Sequence, residues 1–278
     1  MKITEISHNC NHFFLNGDFV SFNNYVIIND LKEVFRNGRR LETQGNYSFE
    51  FPKVKILSSD RFLLIDSGKS KSAEDQRKNA WIISNNGIIE KSFYLGSVQK
   101  VVTTEKYIIC SYSDSQLDTS WKYGRNGLVV FDYNGQSKFE YYRDDQNSNI
   151  SMLENYAFLT KNEDVIYYMP YPNFSIVEFN LLDFSSRVVC QIPNSNELNN
   201  DFFWNPKAFT KKGKNWFFIT PNIEKEKSLI FKMDTQKRIE QIGDCCFSQF
   251  PQGIQDGRFF IPFSGGKSNS RKCQIIEI

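Results

Sequence analysis

Two histidines, His8 and His12, stand near the start of the chain and are its only imidazoles. Histidine works as a general acid or base because its ordinary pKa lies close to neutrality. That chemistry also needs a nucleophile, a metal or a second titrating group beside it. The sequence offers no Gly-x-Ser-x-Gly elbow, no His-Glu-x-x-His pair and no Walker loop. The six cysteines are Cys10, Cys110, Cys190, Cys245, Cys246 and Cys273, and none forms Cys-x-x-Cys. Zinc needs tighter ligand pairing than that. Cys110 and Cys190 lie inside apolar runs, the pattern of small buried thiols in a reducing compartment. Asp114-Ser-Gln-Leu-Asp118 could offer oxygens to calcium, but it lacks the glycine and bidentate glutamate of an organised loop. Asp144-Asp145 reads as a polar turn. The expectation is no catalytic residue, no metal and no cofactor.

Aromatic side chains in long polar segments are the stronger signal. Trp121, Tyr123 and Arg125 lie in 114–126, and Phe202, Phe203 and Trp204 lie in 194–206. Tyr171 and Phe174 sit in a shorter segment beside Pro170 and Pro172. Trp, Tyr and Arg dominate protein interfaces, so these eight residues form the expected contact set for a partner protein. A second reading stands beside it, in which the same aromatics fold inward to plug a channel or cap the core.

Those segments must be held apart by something regular. A tight-turn phrase returns about every fifty residues, the period of a propeller blade. Its copies are Phe35-Arg-Asn-Gly-Arg-Arg, Ser84-Asn-Asn-Gly-Ile-Ile, Asp132-Tyr-Asn-Gly-Gln-Ser, Leu182-Asp-Phe-Ser-Ser-Arg and Met233-Asp-Thr-Gln-Lys-Arg. Asn-Gly favours a type I′ hairpin because both residues tolerate positive φ. A second phrase, strand then polar turn then apolar strand, precedes each copy, as in Val54-Lys-Ile-Leu-Ser-Ser-Asp-Arg-Phe-Leu-Leu-Ile. Each unit thus has four strands, a to d.

The expected fold is an all-β, six-bladed propeller of four-stranded antiparallel blades. Blades fall roughly at 9–46, 47–96, 97–145, 146–192, 193–244 and 245–278 plus 1–8, within one domain spanning 1–278. The last unit ends on a c-type strand, Lys272-Cys-Gln-Ile-Ile-Glu-Ile, so Lys2-Ile-Thr-Glu-Ile-Ser is expected to complete it and close the ring. Composition agrees: of 278 residues, 26 are Phe and 13 Tyr, which suits pleated, half-buried strands.

The phrase Phe209-Thr-Lys-Lys-Gly-Lys-Asn-Trp-Phe-Phe-Ile resembles the repeat of TolB-type six-bladed propellers, and Ser58-Ser-Asp-Arg-Phe-Leu-Leu-Ile is similar. The resemblance implies a fold shared by binding partners, lactonases, lyases and peptidase propellers. The Trp-Asp tetrad of WD40 repeats and the Gly-Gly register of kelch repeats are absent. Lactonase-like propellers hold calcium with acidic inner-strand residues. The corresponding positions here carry Lys55, Ser59, Lys100 and Lys207, so that implication fails.

Charge narrows the partner class. With 34 basic and 32 acidic residues the net charge is +2, too balanced for a general polyanion binder. Arg36, Arg39, Arg40, Lys211, Lys212, Lys214, Lys237 and Arg238 fall on the turns of one face, offset by Asp60, Asp183 and Asp234, and read as a solvated rim. The first residues lack the basic and apolar regions of a signal peptide, and no apolar run approaches the ~18 residues of a membrane span. The sequence-based expectation is a cytoplasmic, monomeric, non-enzymatic propeller that binds a partner protein through its loop face, as an inhibitor or immunity-type protein would. Nucleic acid and membrane are not expected partners. The alternative is a channel-mouth hydrolase or lyase using His12 and loop carboxylates, or a binder of a small ligand in the channel.

Overall fold

The computed structural model describes residues 1–7, 14–29, 31–42, 52–67, 78–113, 123–144, 150–172, 174–193, 206–246, 248, 251–262 and 272–278. Its strands are β1 (Lys2–Ser7), then β2 (Phe14–Ser21), β3 (Asn24–Asn29), β4 (Val34–Arg36) and β5 (Arg39–Leu41) of blade I. Blade II holds β6 (Pro52–Ile56), β7 (Arg61–Asp66), β8 (Ala80–Ser84) and β9 (Ile89–Phe93). Blade III holds β10 (Lys100–Thr103), β11 (Tyr107–Ser111), β12 (Leu128–Asp132) and β13 (Ser137–Glu140). Blade IV holds β14 (Met152–Asn162), β15 (Val165–Pro172), β16 (Ser175–Asn180) and β17 (Ser185–Gln191). Blade V holds β18 (Ala208–Lys212), β19 (Asn215–Asn222), β20 (Lys227–Met233) and β21 (Ile239–Cys246). Blade VI holds β22 (Gln252–Ile254), β23 (Arg258–Ile261) and β24 (Lys272–Glu277).

Each blade is a four-stranded antiparallel sheet, and β1 is the fourth strand of blade VI. Lys2 pairs with Glu277 and Ser7 with Lys272, so the two ends of the chain close the ring as the sequence predicts. Six clusters of buried apolar residues form, one at each blade–blade interface. Val26, Ile28, Phe62 and Leu64 pack between blades I and II; Ile6, Phe19, Phe260 and Ile275 pack between VI and I. The second strand of each blade is an apolar run because a neighbouring blade covers each of its faces. In β7, Phe62, Leu63, Leu64 and Ile65 are all fully buried. Each such side chain contributes about 1.5–3 kcal/mol on burial.

The recurrent turns use two chemistries where the sequence suggests one. Asn37 and Gly38 both have positive φ, 51° and 80°, and form the expected type I′ turn. In the other two Asn-Gly copies only the glycine does, Gly87 at 78° and Gly135 at 77°. There a side chain holds the turn: Asp132 Oδ1 accepts the amides of Asn134 at 2.8 Å and Gln136 at 3.0 Å. Asp234 repeats this with Gln236 and Arg238, at 2.8 and 3.0 Å. A bulge follows in β13, where Lys138 is the extra residue opposite Val130 and Phe131. This is the longer hairpin loop closed by one left-handed residue.

The first strands, β2, β6, β10, β14, β18 and β22, surround a central channel. Their inner edges have no ladder partner, so side chains of the neighbouring blade satisfy them. Asn16 Oδ1 accepts the Val54 amide at 3.1 Å, Asp18 Oδ2 the Ile56 amide at 2.8 Å, and Thr103 Oγ1 donates to the Ile56 carbonyl at 2.8 Å. Where β22 meets β18, a Cβ on Gly253 would stand 1.7 Å from the Phe209 carbonyl oxygen, so only glycine fits.

One expectation needs correction. Arg36 is not part of a solvated rim. It is 4% exposed and reaches from blade I into blade II. Its Nε donates to Asn85 Oδ1 at 3.1 Å and its Nη2 to the carbonyls of Ser58 and Ser59, both at 3.2 Å, and to Asn24 Oδ1 at 2.5 Å. The other rim cations behave as expected: Arg238 pairs with Asp234 at 2.7 Å, and Lys211 lies over the Trp216 ring at 5.0 Å.

Candidate anion-binding channel

Side chains alternate across a strand, so residues two apart share a face. In β6 the buried positions are Pro52, Val54 and Ile56, which turns Lys53 and Lys55 toward the channel. The same alternation in β2 aims Asn16 and Asp18 inward. Gln99 and Lys100 enter at the start of β10, and Lys207 enters just before β18. These groups line a cavity of about 500 Å³ along the ring axis. The first strand of each blade runs from the face of the b–c and d–a connections to the face of the tight turns. Lys53, Lys100 and Lys207 therefore gather toward the connection face. Glu105, Glu163 and Arg258 lie at the turn end, where Gln255 Nε2 donates to the Thr160 carbonyl across the ring at 3.0 Å.

The four lysines differ in their partners. Lys55 Nζ is 2.9 Å from Asp18 Oδ1. Lys53, Lys100 and Lys207 make no ion pair and no side-chain hydrogen bond among the described residues. Glu154 on β14 is near enough to attract both Lys100 and Lys207, but its Oε1 accepts a hydrogen bond from Gln99 Nε2. The opposite atom of that amide, Gln99 Oε1, is buried with no partner among the described residues.

Burial and mutual repulsion set the charge state. Lys100 is pushed down to about 7, first by burial and then by Lys207 and Lys53, with Glu154 opposing. Lys53 is lowered to about 8 by burial, opposed by Asp66. Burial lowers Lys207 as well. Each amine faces the cavity yet lies deep in the ring, where water solvates an ammonium poorly. Such a cluster has two uses. Protonated, it holds a carboxylate or phosphate as point charges. Unprotonated, a single amine is a base or nucleophile.

The described members of the contact set proposed from the sequence, Tyr123, Arg125, Tyr171 and Phe174, do not line this channel. Trp121, Phe202, Phe203 and Trp204 are outside the described residues, as are His8, His12, Asp114, Asp118 and Asp145. Arg125 falls in a 3-10 turn, Gly124–Asn126. Tyr123 is 4% exposed, its ring edge-on to Phe131 at 4.9 Å in the core between blades II and III. That is the inward-folded arrangement. Tyr171 and Phe174 are partly exposed and pack with Tyr156, centroids 5.7 and 5.8 Å away, between blades IV and V. These residues do not converge with Tyr123. Asp144 was expected in a polar turn, but it ends a single α-helical turn, Tyr141–Asp144, where it pairs with Arg143 at 2.8 Å. Cys110, Cys245 and Cys273 are buried free thiols. Among the described residues no group of three His, Cys, Asp or Glu side chains could hold a metal.

Lys55, Lys100 and Lys207 were visible in the sequence as inner-strand residues, but only as the reason calcium would not bind. Lys53, Asp18, Gln99 and Glu154 were missed. The available signal was Lys-x-Lys in a first strand, with lysine recurring at the same place in other blades.

The sequence matches no protein-family model and no curated protein. Solved structures do resemble it in fold. A structural genomics protein of unknown function from Bacteroides thetaiotaomicron aligns with a TM-score of 0.53 at 10% identity, over 99% of this chain and 71% of that one. An auxiliary nutrient binding protein from the same organism aligns with a TM-score of 0.53 at 12% identity, over 95% and 69%. The protein U3-55K aligns with a TM-score of 0.57 at 6% identity, over 99% and 98%. At these identities the likeness is one of fold alone.

Proposed function

We propose that the ring is a receptor for a small anionic ligand, held in the central channel by Lys53, Lys100 and Lys207. The observation that carries this is three inward lysines that form no ion pair among the described residues, in a cavity of about 500 Å³. Burying like charges together is costly unless a counter-charge arrives. A bound carboxylate or phosphate supplies it. The nutrient binding neighbour supports the idea of a propeller serving as a small-ligand receptor, through shared fold only. The proposed class remains that of TolB-like propellers, on the strength of the phrases around Ser58 and Phe209.

Calorimetric titration with inorganic phosphate and citrate at low salt and neutral pH tests this reading. Binding should weaken about tenfold or more in Lys53→Met and Lys207→Met. Absence of binding by either anion, or binding indifferent to both substitutions, would remove the channel from consideration.

A second reading is capture of a partner protein on the connection face, as a cytoplasmic inhibitor or immunity-type protein. Tyr171 and Phe174 support it, being partly exposed where β15 and β16 connect. Loss of a co-purifying protein in Tyr171→Ala/Phe174→Ala, with anion binding unchanged, would favour this reading over the first.

A further inference from the structure

We propose that Lys100 is a nucleophile that captures the carbonyl of a small 2-oxo acid as an imine. This rests on the anion-binding channel and adds a covalent step to it. The position is unusual for a lysine. Lys100 opens β10, faces the cavity and forms no ion pair or side-chain hydrogen bond among the described residues. Like-charged amines from two other blades, Lys53 and Lys207, sit close enough to disfavour its proton. A lysine beside other cations in a desolvated pocket keeps its lone pair near neutral pH. Lys53, lowered less than Lys100, stays the more cationic of the two and suits a carboxylate, so one pocket offers both an anchor and an attacking amine.

The chemistry balances within the pocket. The Lys100 Nζ lone pair forms a C–N bond to the carbonyl carbon while the C=O π electrons move to oxygen, which takes a proton. The carbinolamine then loses that oxygen as water, giving the C=N bond. Amine plus 2-oxo acid become imine plus water, with no oxidation or reduction. The ammonium of Lys53 or Lys207 delivers the protons that leave with the oxygen, and the two N–H protons that Lys100 sheds return to those amines. Gln99, hydrogen-bonded to Glu154, carries a buried carbonyl oxygen without a partner among the described residues. That oxygen can accept the carbinolamine hydroxyl.

Pyruvate is the probe. The full chain is incubated with pyruvate and sodium cyanoborohydride near neutral pH, then digested and mapped by mass spectrometry. Reduced adduct should accumulate on Lys100 about tenfold or more above the exposed turn residue Lys214. Lys100→Arg should abolish the adduct, whereas Lys214→Arg, outside the channel, should leave it unchanged. Adduct spread evenly over surface lysines, or falling on Lys53 or Lys207 with Lys100 unlabelled, overturns the assignment. Pyruvate bound without adduct, or phosphate bound and pyruvate not, overturns the imine and leaves the anion channel standing. Failure of pyruvate, phosphate and citrate alike to bind removes both.

Discussion

Lys55 and Asp18 join two neighbouring inner strands: Lys55 Nζ lies 2.9 Å from one carboxylate oxygen of Asp18, and the other oxygen accepts the Ile56 amide at 2.8 Å. Asp18 thus ties blade I to blade II and also neutralises one of the four channel lysines. Asp18→Ala leaves a half-buried ammonium and an unpaired amide. Stability should fall by about 3 kcal/mol, read from urea denaturation. The same variant adds net positive charge to the channel, so phosphate should bind more tightly in protein that remains folded. A stability loss with weaker phosphate binding would contradict the charge argument.

Lys53, two residues away on the same strand, has no such partner among the described residues. Replacing it by methionine removes a poorly solvated charge and keeps a similar volume. Lys53→Met should therefore gain about 1 kcal/mol in stability while losing anion affinity. Opposite movement of the two quantities separates a binding residue from a structural one, because a structural lysine would lose both.

The lysine cluster also fixes a pH dependence. Lys100 titrates near 7 in the folded state and Lys53 near 8, both below the ordinary lysine value. Between these values and about 10.4 the unfolded chain binds more protons, so stability rises with pH in that window. Above about pH 8.5 the buried thiols of Cys110 and Cys245 and the phenols of Tyr112 and Tyr133, all pushed up by burial, act in the opposite sense. The test window is therefore about pH 7 to 8.5. Asp18, Asp66, Glu154, Lys55 and Lys207 also face the cluster, so the quantity to read is wild type minus Lys100→Met. That difference should rise with pH, and phosphate affinity should fall over the same range as the ammonium is lost. A flat difference would show that Lys100 is charged throughout.

What could be read from the sequence was local, and what could not was convergent. Asp132-Tyr-Asn-Gly and the apolar run Phe62–Ile65 each carry their own geometry, and repetition converts them into six blades closed by β1. The channel has no local spacing. Asp18, Lys53, Lys100 and Glu154 come from four first strands and Lys207 from just before a fifth, and only ring closure brings them together. Tyr123 misled in the other direction. Its side chain suits an interface, but the ring is covered by Tyr94 and Phe131, and sequence alone does not distinguish a buried tyrosine from an exposed one.

Arg36 tests the same distinction energetically. As an exposed rim cation it would contribute within about 0.5 kcal/mol. As the structure has it, its guanidinium serves four acceptors, Asn24, Asn85 and the Ser58 and Ser59 carbonyls, from a site with 4% exposure. Arg36→Ala should lose about 3 kcal/mol. Arg36→Lys should recover little, because a point ammonium cannot span a planar fork. Chemical denaturation of both variants decides it, and near-wild-type stability in Arg36→Ala would place the residue back on the rim.

The last relationship concerns the ring itself. β1 is hydrogen-bonded to β24 along its whole length, and Ile6 packs with Phe19, Phe260 and Ile275 between blades VI and I. Removing residues 1–7 exposes the edge of β24 and opens that interface at once. An open, apolar strand edge is a template for pairing with another chain. The truncated protein should lose its single cooperative melting transition and associate in proportion to its concentration, as followed by calorimetry and light scattering. Ile6→Ala is the gentler version: β1 stays paired, so it should remain monomeric and cooperative while losing about 2–4 kcal/mol. If truncation and Ile6→Ala were equally mild, the channel's shape would not depend on closure by β1, and the five inner strands that carry its charged groups would have to be positioned by their own interfaces alone.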